Sequence, residues 1–286
     1  MCIRDSLKSH CKVNLLLNIL GRREDGFHDL ETIMQPVPFC DELQLERTAD
    51  GLKLSCSDSR LPMDASNLVH RAATAFLEKA GVAGVRIHLQ KNLPLAAGIG
   101  AGSSNAAFTL RGLNELFESP LNADELQELA AGLGSDVPFF LQDGPALAIG
   151  RGEVVQPVGP FPALEGKGLL LIHPGFGVST PWAYQALVSL PDGYGEAGRM
   201  TALQQALNGG ELAGLYNSLE VPVFKKHRIL PLIKTFLMEQ GALAALMSGS
   251  GSTTFAVTED RPTAEALRAK YHEQFGQAGW TATVSL

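Results

Sequence analysis

The chain has 286 residues, 45% of them hydrophobic and 19% charged, so it carries enough apolar surface for a large core and lacks the composition of a disordered protein. At roughly 100–200 residues per domain, that length fits two lobes with a cleft suited to a small molecule. Lys plus Arg number 23 against 30 Asp plus Glu, a net charge of −7, and no basic run is long enough to track a phosphate backbone, so no nucleic-acid partner is expected.

The first ten residues alternate charge and polarity where a signal peptide would need an apolar core, and residues before Leu7 join no periodic segment, which reads as an extension foreign to the fold. Period-two patterns predict strands at residues 12–17, 41–46, 52–54 and 85–89, and helical patterns predict helices over 67–79, 104–117 and 124–133. Asn122 with Glu125 three residues later has the form of a capping box for the last of these. The first half is therefore mixed α and β.

A Pro- and Gly-rich stretch over 157–168 marks a boundary. Beyond it come strands near 168–173, 244–247, 253–258 and 281–284, with helices at about 181–190, 200–208, 231–240 and 263–275, an α+β pattern with helices on one face of a sheet. The longest apolar runs, 15–20 with Asn18 inside it and 169–172, fall far short of the ~20 residues that span a bilayer, so no membrane partner and a cytoplasmic location are expected. Cys2, Cys11, Cys40 and Cys56 show neither C-x-x-C pairs nor zinc-ligand spacing and read as reduced thiols.

The segment richest in chemistry is Pro94-Leu95-Ala96-Ala97-Gly98-Ile99-Gly100-Ala101-Gly102-Ser103-Ser104-Asn105, placed after a strand and opening into a helix. Small residues let backbone N–H groups approach an anion, Ser103 or Ser104 is expected to cap the helix, and the helix N-terminus adds its positive dipole end. No Lys-Ser or Lys-Thr follows as in a P-loop, and the glycine spacing does not match the dinucleotide fingerprint.

Three motifs, Lys12-Val13-Asn14-Leu15, the 94–105 loop and Met247-Ser248-Gly249-Ser250-Gly251-Ser252, together resemble the GHMP kinases, the superfamily of galactokinase, homoserine kinase and mevalonate kinase. Two further runs, Gly21-Arg22-Arg23-Glu24-Asp25-Gly26-Phe27-His28-Asp29-Leu30-Glu31-Thr32 and Gly134-Ser135-Asp136-Val137-Pro138-Phe139-Phe140, with Gly150-Arg151-Gly152-Glu153, are similar to the branch that phosphorylates a cytidine-diphosphate-linked methylerythritol in non-mevalonate isoprenoid synthesis. The chain departs from that branch at His10-Cys11, where Pro-Ala is usual, at Phe27 for Tyr, and at Ala96, Ala97 and Ala101, where the loop often has Gly. Alanine resists any positive φ that a glycine occupied there.

The resemblance implies an α+β, two-lobed GHMP kinase fold with an N-terminal lobe like ribosomal protein S5 over residues 7–156, which binds ATP, and a ferredoxin-like α/β sandwich over 168–286. It implies transfer from ATP with Mg2+ to the 2-hydroxyl of that small-molecule substrate. Asp136 is then the proton acceptor and Lys12 the cation that keeps it ionised. From the residues alone, Asp136 reads as a turn residue before a proline and Lys12 as a solvated strand lysine.

By the same resemblance Pro94, Ala96, Ala97, Gly98, Ile99, Gly100, Ala101, Gly102, Ser103 and Ser104 hold ATP. Asn67 lies near the adenine, although an N-cap explains it as well. The acceptor falls to Asn14, Phe27, His28, Thr180, Pro181, Tyr184, Gly249, Ser250 and Gly251, with His28 hydrogen-bonding the cytosine and Phe27 and Tyr184 beside it. No carboxylate set stands out as a metal site, which leaves Mg2+ on the phosphates with help from Ser103 or Ser104. The competing readings are a GHMP kinase for another alcohol, such as homoserine, which would not need the aromatic pair, and a non-catalytic ligand-sensing relative.

Overall fold

A computed structural model of the chain describes residues 6–190 and 193–286. Cys2 and the first five residues of the N-terminal extension lie outside the described residues, while Cys11, Cys40 and Cys56 are free thiols. The described residues divide into two compact units, one built from residues 6–11, 40–93 and 100–143, the other from 12–39, 94–99, 144–190 and 193–286. The long strands β1 (Leu7–Arg22) and β2 (His28–Thr48) contribute to both.

In the first unit, β3 (Gly51–Cys56) pairs in parallel with β4 (Gly84–Gln90), and β4 pairs antiparallel with the second half of β2, Leu43 facing Leu89 and Leu45 facing Ile87. Three helices complete it: α1 (Leu68–Ala80), α2 (Ala101–Leu116) and α3 (Ala123–Leu133), with α1 packed on α2 and both against α3. Its core contains Leu43, Leu45, Phe76, Ile87, Leu89, Leu110 and Leu113, all essentially inaccessible to water. Each such side chain contributes about 1.5–3 kcal/mol of burial. The capping box at α3 is present as expected: Asn122 accepts from the Glu125 N–H at 3.0 Å and Glu125 returns the bond to the Asn122 N–H at 3.0 Å.

In the second unit, β1 lies between β2 and the two-residue β8 (Tyr216–Asn217), and the first half of β2 also pairs with β5 (Ala146–Gly150), itself joined to β6 (Val154–Pro157). A four-stranded antiparallel sheet runs in the order β11-β7-β10-β9, from Trp280–Ser285, Gly168–His173, Thr254–Thr258 and Ala244–Met247. Helices α7 (Ile229–Glu239) and α8 (Arg261–Phe275) supply Ile233, Leu237, Ala264, Leu267 and Tyr271 to a cluster with Leu170, Ile172 and Ala256 of that sheet. The shorter α4 (Thr180–Val188), α5 (Arg199–Asn208) and α6 (Glu220–Lys226) belong to the same unit.

Two expectations are corrected here. The period of two read over 12–17 does not separate two faces, because every residue from Cys11 to Ile19 is buried, with β2 along one edge of β1 and β8 pairing Leu16 and Leu17 on the other. The helix expected from Ser104 begins at Ala101, so neither Ser103 nor Ser104 caps it, and the N-cap is Gly100 in the left-handed region at φ 70° with no side-chain cap. Among the described residues no helix is long and apolar enough to cross a membrane.

Candidate active site

Within the second unit, β1 carries Lys12 and Asn14, two residues apart and so on the same face of the strand. Lys12 is only 2% exposed, so the solvated-lysine reading fails. Its Nζ donates to Asn14 Oδ1 at 2.5 Å, and Asn14 Nδ2 donates to Thr32 Oγ1 at 2.8 Å. The Thr32 hydroxyl donates in turn to the Leu16 carbonyl at 2.6 Å. A buried ammonium is costly unless its donors are bonded, and this chain spends part of its capacity while fixing the direction of the nitrogen.

The 94–99 part of the glycine-rich loop is bound to the 248–253 loop of the same unit. Ser248 Oγ donates to the Gly98 carbonyl at 2.9 Å, the Thr253 N–H to the Ala97 carbonyl at 3.1 Å, and the Lys12 N–H to the Ile99 carbonyl at 3.0 Å. Gly98 has φ +77°, and a Cβ there would stand 2.2 Å from the Ser248 carbonyl oxygen, so only glycine permits this approach. Asn217 Nδ2 donates to the Met247 and Gly249 carbonyls at 2.7 and 2.8 Å, and the Thr180 and Ser250 hydroxyls share a hydrogen bond of 2.8 Å. The expected acceptor residues Thr180, Gly249, Ser250 and Gly251 are thereby brought together, with Pro181 in the first turn of α4.

The aromatic residues gather at the start of β2 and on α4. The His28 ring lies 5.1 Å from the Tyr184 ring and 6.3 Å from Tyr194, centroid to centroid. Burial, with a smaller push from Arg22, holds the His28 pKa below its ordinary value, so the imidazole is neutral near pH 7. Phe27 is half exposed, and the Arg151 guanidinium sits 4.7 Å over its ring, itself held by Glu153 through its backbone N–H and its Nε.

The first unit supplies the helical end of the glycine-rich segment. Gly100 opens α2 with no side-chain cap, and a Cβ on Gly102 would make an ordinary contact with Leu68 at 3.7 Å. Such a helix end fits an anion. Ser104 is inside the helix and its hydroxyl donates to the His10 carbonyl at 2.5 Å, with Ser9 Oγ at 2.8 Å. Asn67 caps α1, accepting from the Val69 N–H at 2.9 Å and donating to the Pro62 carbonyl at 2.8 Å, so both ends of its amide are engaged. Asp136 follows α3 in a turn before the buried Val137, Phe139 and Phe140.

Sequence reasoning did not single out Asp41, Thr32, Ser248 or Asn217. Asp41 is wholly buried on β2 and receives the Lys91 ammonium, the Asn92 and Leu93 N–H groups at 2.8 and 2.9 Å and Asn105 Nδ2 at 3.0 Å. It thus fastens the residues just before the glycine-rich loop to the second turn of α2. Thr32 and Ser248 stood inside quoted motifs, which was the available signal; Asn217 and Asp41 lie in no motif.

The chain is similar to known proteins over most of its length. Residues 67–144 match the family described as "GHMP kinases N terminal domain" and residues 194–277 match "GHMP kinases C terminal". The chain belongs to the GHMP kinases. Proteins named 4-diphosphocytidyl-2-C-methyl-D-erythritol kinase are similar over nearly its whole length: that of Synechococcus sp. (strain JA-3-3Ab) is 40% identical, covering 97% of this chain and 93% of its own, and that of Pelobacter propionicus is 40% identical, covering 98% of each. A crystal structure of 4-(cytidine 5'-diphospho)-2C-methyl-D-erythritol kinase superposes with a TM-score of 0.81 at 36% identity, over 99% of this chain and 100% of that one. The homoserine kinase of Cytophaga hutchinsonii shares the fold of this GHMP kinase, with a TM-score of 0.72 at 20% identity over 100% of this chain and 98% of the other.

The departures around the glycine-rich loop have a structural counterpart. Ala96 takes φ +50°, a left-handed conformation that an alanine adopts only at a cost. His10, where the branch usually has Pro, packs its ring edge-on against Phe108 at 5.2 Å and tilted against Phe140 at 5.5 Å. It thereby supports the segment that follows Asp136.

Proposed function

We propose that this GHMP kinase transfers the γ-phosphoryl group of ATP to the 2-hydroxyl of 4-diphosphocytidyl-2-C-methyl-D-erythritol, a step in non-mevalonate isoprenoid precursor synthesis. The observation that carries this reading is the 40% identity, over nearly the whole chain, to kinases of that name. The buried Lys12-Asn14-Thr32 chain and the neutral His28 beside Tyr184 support it.

In this reading the Asp136 carboxylate accepts the hydroxyl proton as the substrate oxygen attacks the γ-phosphorus, the bond to the β-phosphate oxygen breaks, and ADP leaves. Lys12 meets negative charge on the transferring group in this reading, its Nζ held in direction by Asn14. The N–H groups of Gly100, Ala101, Gly102 and Ser103 donate to phosphate oxygens at the start of α2, and Pro94, Ala96, Ala97, Gly98, Ile99 and Ser104 shape that loop; Asn67 lies toward the adenine. Thr180, Pro181, Gly249, Ser250 and Gly251 hold the acceptor's diphosphate and polyol. His28 hydrogen-bonds the cytosine, flanked by Phe27 and Tyr184.

Mg2+ supplies charge neutralisation on the nucleotide. In this reading it would sit on the phosphates with help from Ser103 or Ser104. The test is an ADP-release assay with a panel of alcohols and product identity by mass. The reading expects a phosphorylated cytidine-diphosphate conjugate; ATP turnover only with homoserine would overturn it, and binding without turnover of any alcohol would favour the non-catalytic alternative.

A further inference from the structure

Nε2 of His28 is buried and, among the described residues, has no hydrogen-bond partner. A buried ring nitrogen left so is costly, and an orphaned group of this kind marks a position that a ligand's polar atom completes. Two phenol rings stand about this imidazole, Tyr184 tilted by 47° and Tyr194 by 48°. Tyr184 is already part of the reading above. Tyr194 is not, and nothing in the sequence patterns marks it.

Tyr194 is 38% exposed, a large ring kept out of the core. Its backbone is nonetheless fixed on the C-terminal side: the Gly195 N–H donates to the Ile19 carbonyl at 2.8 Å, and Asn18 Nδ2 donates to the Glu196 carbonyl at 2.8 Å. A Cβ on Gly195 would meet Asn18 Oδ1 at 1.8 Å, so glycine is what lets this segment lie directly against β1. On the N-terminal side a Cβ on Gly193 would meet the Leu187 carbonyl at 2.4 Å, another approach that only glycine allows. The ring is therefore held beside His28 by its backbone rather than by burial, which lowers the ordering cost of using it as a contact.

We propose that Tyr194 is a further specificity-determining residue, its exposed ring contacting the pyrimidine base of a cytidine nucleotide that hydrogen-bonds the buried Nε2 of His28. The inference rests on the cytidine reading given above and adds to it a residue outside the matched motifs. A flat heterocycle with a polar edge satisfies the orphaned nitrogen and lies against aromatic carbon at once, which a polyol or an amino acid does not. Ring contact of this kind is tolerant of sequence because every base presents a π-face.

The experiment is titration calorimetry of the full chain with cytidine 5'-diphosphate, uridine 5'-diphosphate and ADP, alongside steady-state kinetics and melting curves, for wild type, Tyr194→Ala, Tyr194→Leu and Tyr194→Phe. Expected is a loss of about tenfold in cytidine 5'-diphosphate affinity for the Ala and Leu variants, with the KM for the cytidine conjugate raised in step and ADP affinity within about twofold of wild type. The Phe variant, which keeps the ring, stays within about threefold. If wild type prefers the cytidine over the uridine nucleotide and Tyr194→Leu binds cytidine 5'-diphosphate as wild type does, Tyr194 has no part in the site while the cytidine reading stands. If wild type shows no such preference, the cytidine reading falls and this inference with it. Loss of both nucleotides together with a lowered melting temperature in both the Ala and Leu variants would make Tyr194 structural and overturn the proposal.

Discussion

Asp136 stands in a turn whose following residues Val137, Phe139 and Phe140 are fully buried, while the residue assigned to assist it, Lys12, is buried on a strand and aimed by Asn14. Replacing Asp136 with Asn keeps the shape and removes the proton acceptor proposed above. Turnover is expected to fall by roughly 10²–10⁴ with ATP affinity unchanged, measured by single-turnover kinetics and calorimetry. Ala96 gives a prediction of opposite sign. At φ +50° its methyl group is strained, so Ala96→Gly is expected to stabilise the protein by about 0.5–1 kcal/mol in urea unfolding, the strain relieved exceeding the entropy that glycine adds to the unfolded chain. A destabilised variant would show that the left-handed conformation carries no cost here.

Among the elements, the glycine-rich segment depends on supports at both ends. Gly98 is locked against Ser248, and the residues before Pro94 are held by Asp41, which gathers Lys91, two backbone N–H groups and Asn105 in a fully buried setting. Removing one partner of such a group strands the rest, so Asp41→Ala is expected to cost about 3–5 kcal/mol in chemical unfolding. A loss below 1 kcal/mol would remove Asp41 as the support. The loop's strand-to-helix order was legible because Gly and Ala crowd a helix start, but its exact opening was not. Serines suggested a cap, whereas the left-handed Gly100 begins the helix three residues sooner.

Other elements escaped for equally physical reasons. Alternation could not mark the ends of β1 because both its faces are buried, and Pro36 and Pro38 disguised the first half of β2. The small residues of β5 and the two-residue β8 offer no period to detect. Lys12 and Asp136 were named only through the family resemblance. Asp41 and Tyr194 were missed because their importance comes from neighbours distant in sequence: Asn105 for the one, and the His28 ring and the Asn18 anchor of Gly195 for the other.

For the molecule as a whole, four histidines titrate in the same sense. His10, His28, His173 and His227 all have pKa values lowered from 6.5, chiefly by burial, so the unfolded chain binds more protons than the folded one as pH falls through that value. Their contribution to stability is complete above about pH 7 and is lost on acidification toward the folded values. The melting temperature is therefore expected to drop between pH 7 and pH 5. His10→Phe, which keeps a ring against Phe108 and Phe140 and binds no proton, should flatten that slope; a wild-type melting temperature that rises toward pH 5 would contradict the account. Carboxylates such as Asp58, lowered to about 2 mainly by its bond from Arg60, act in a lower window.

The central claim is that this fold, shared with kinases for other alcohols, acts on the cytidine-linked one. It is tested most directly by competition: ATP, the wild-type chain, and equal concentrations of 4-diphosphocytidyl-2-C-methyl-D-erythritol, its uridine analogue and homoserine in one vessel, with the phosphorylated products measured by mass. The product ratio gives the ratio of kcat/KM values. The account predicts that the cytidine conjugate leads homoserine by at least about 10³ and the uridine analogue by at least about tenfold, because each competitor leaves buried polar groups of the site unpaired. Equal labelling of the cytidine and uridine conjugates, or homoserine phosphate as the main product, would contradict it.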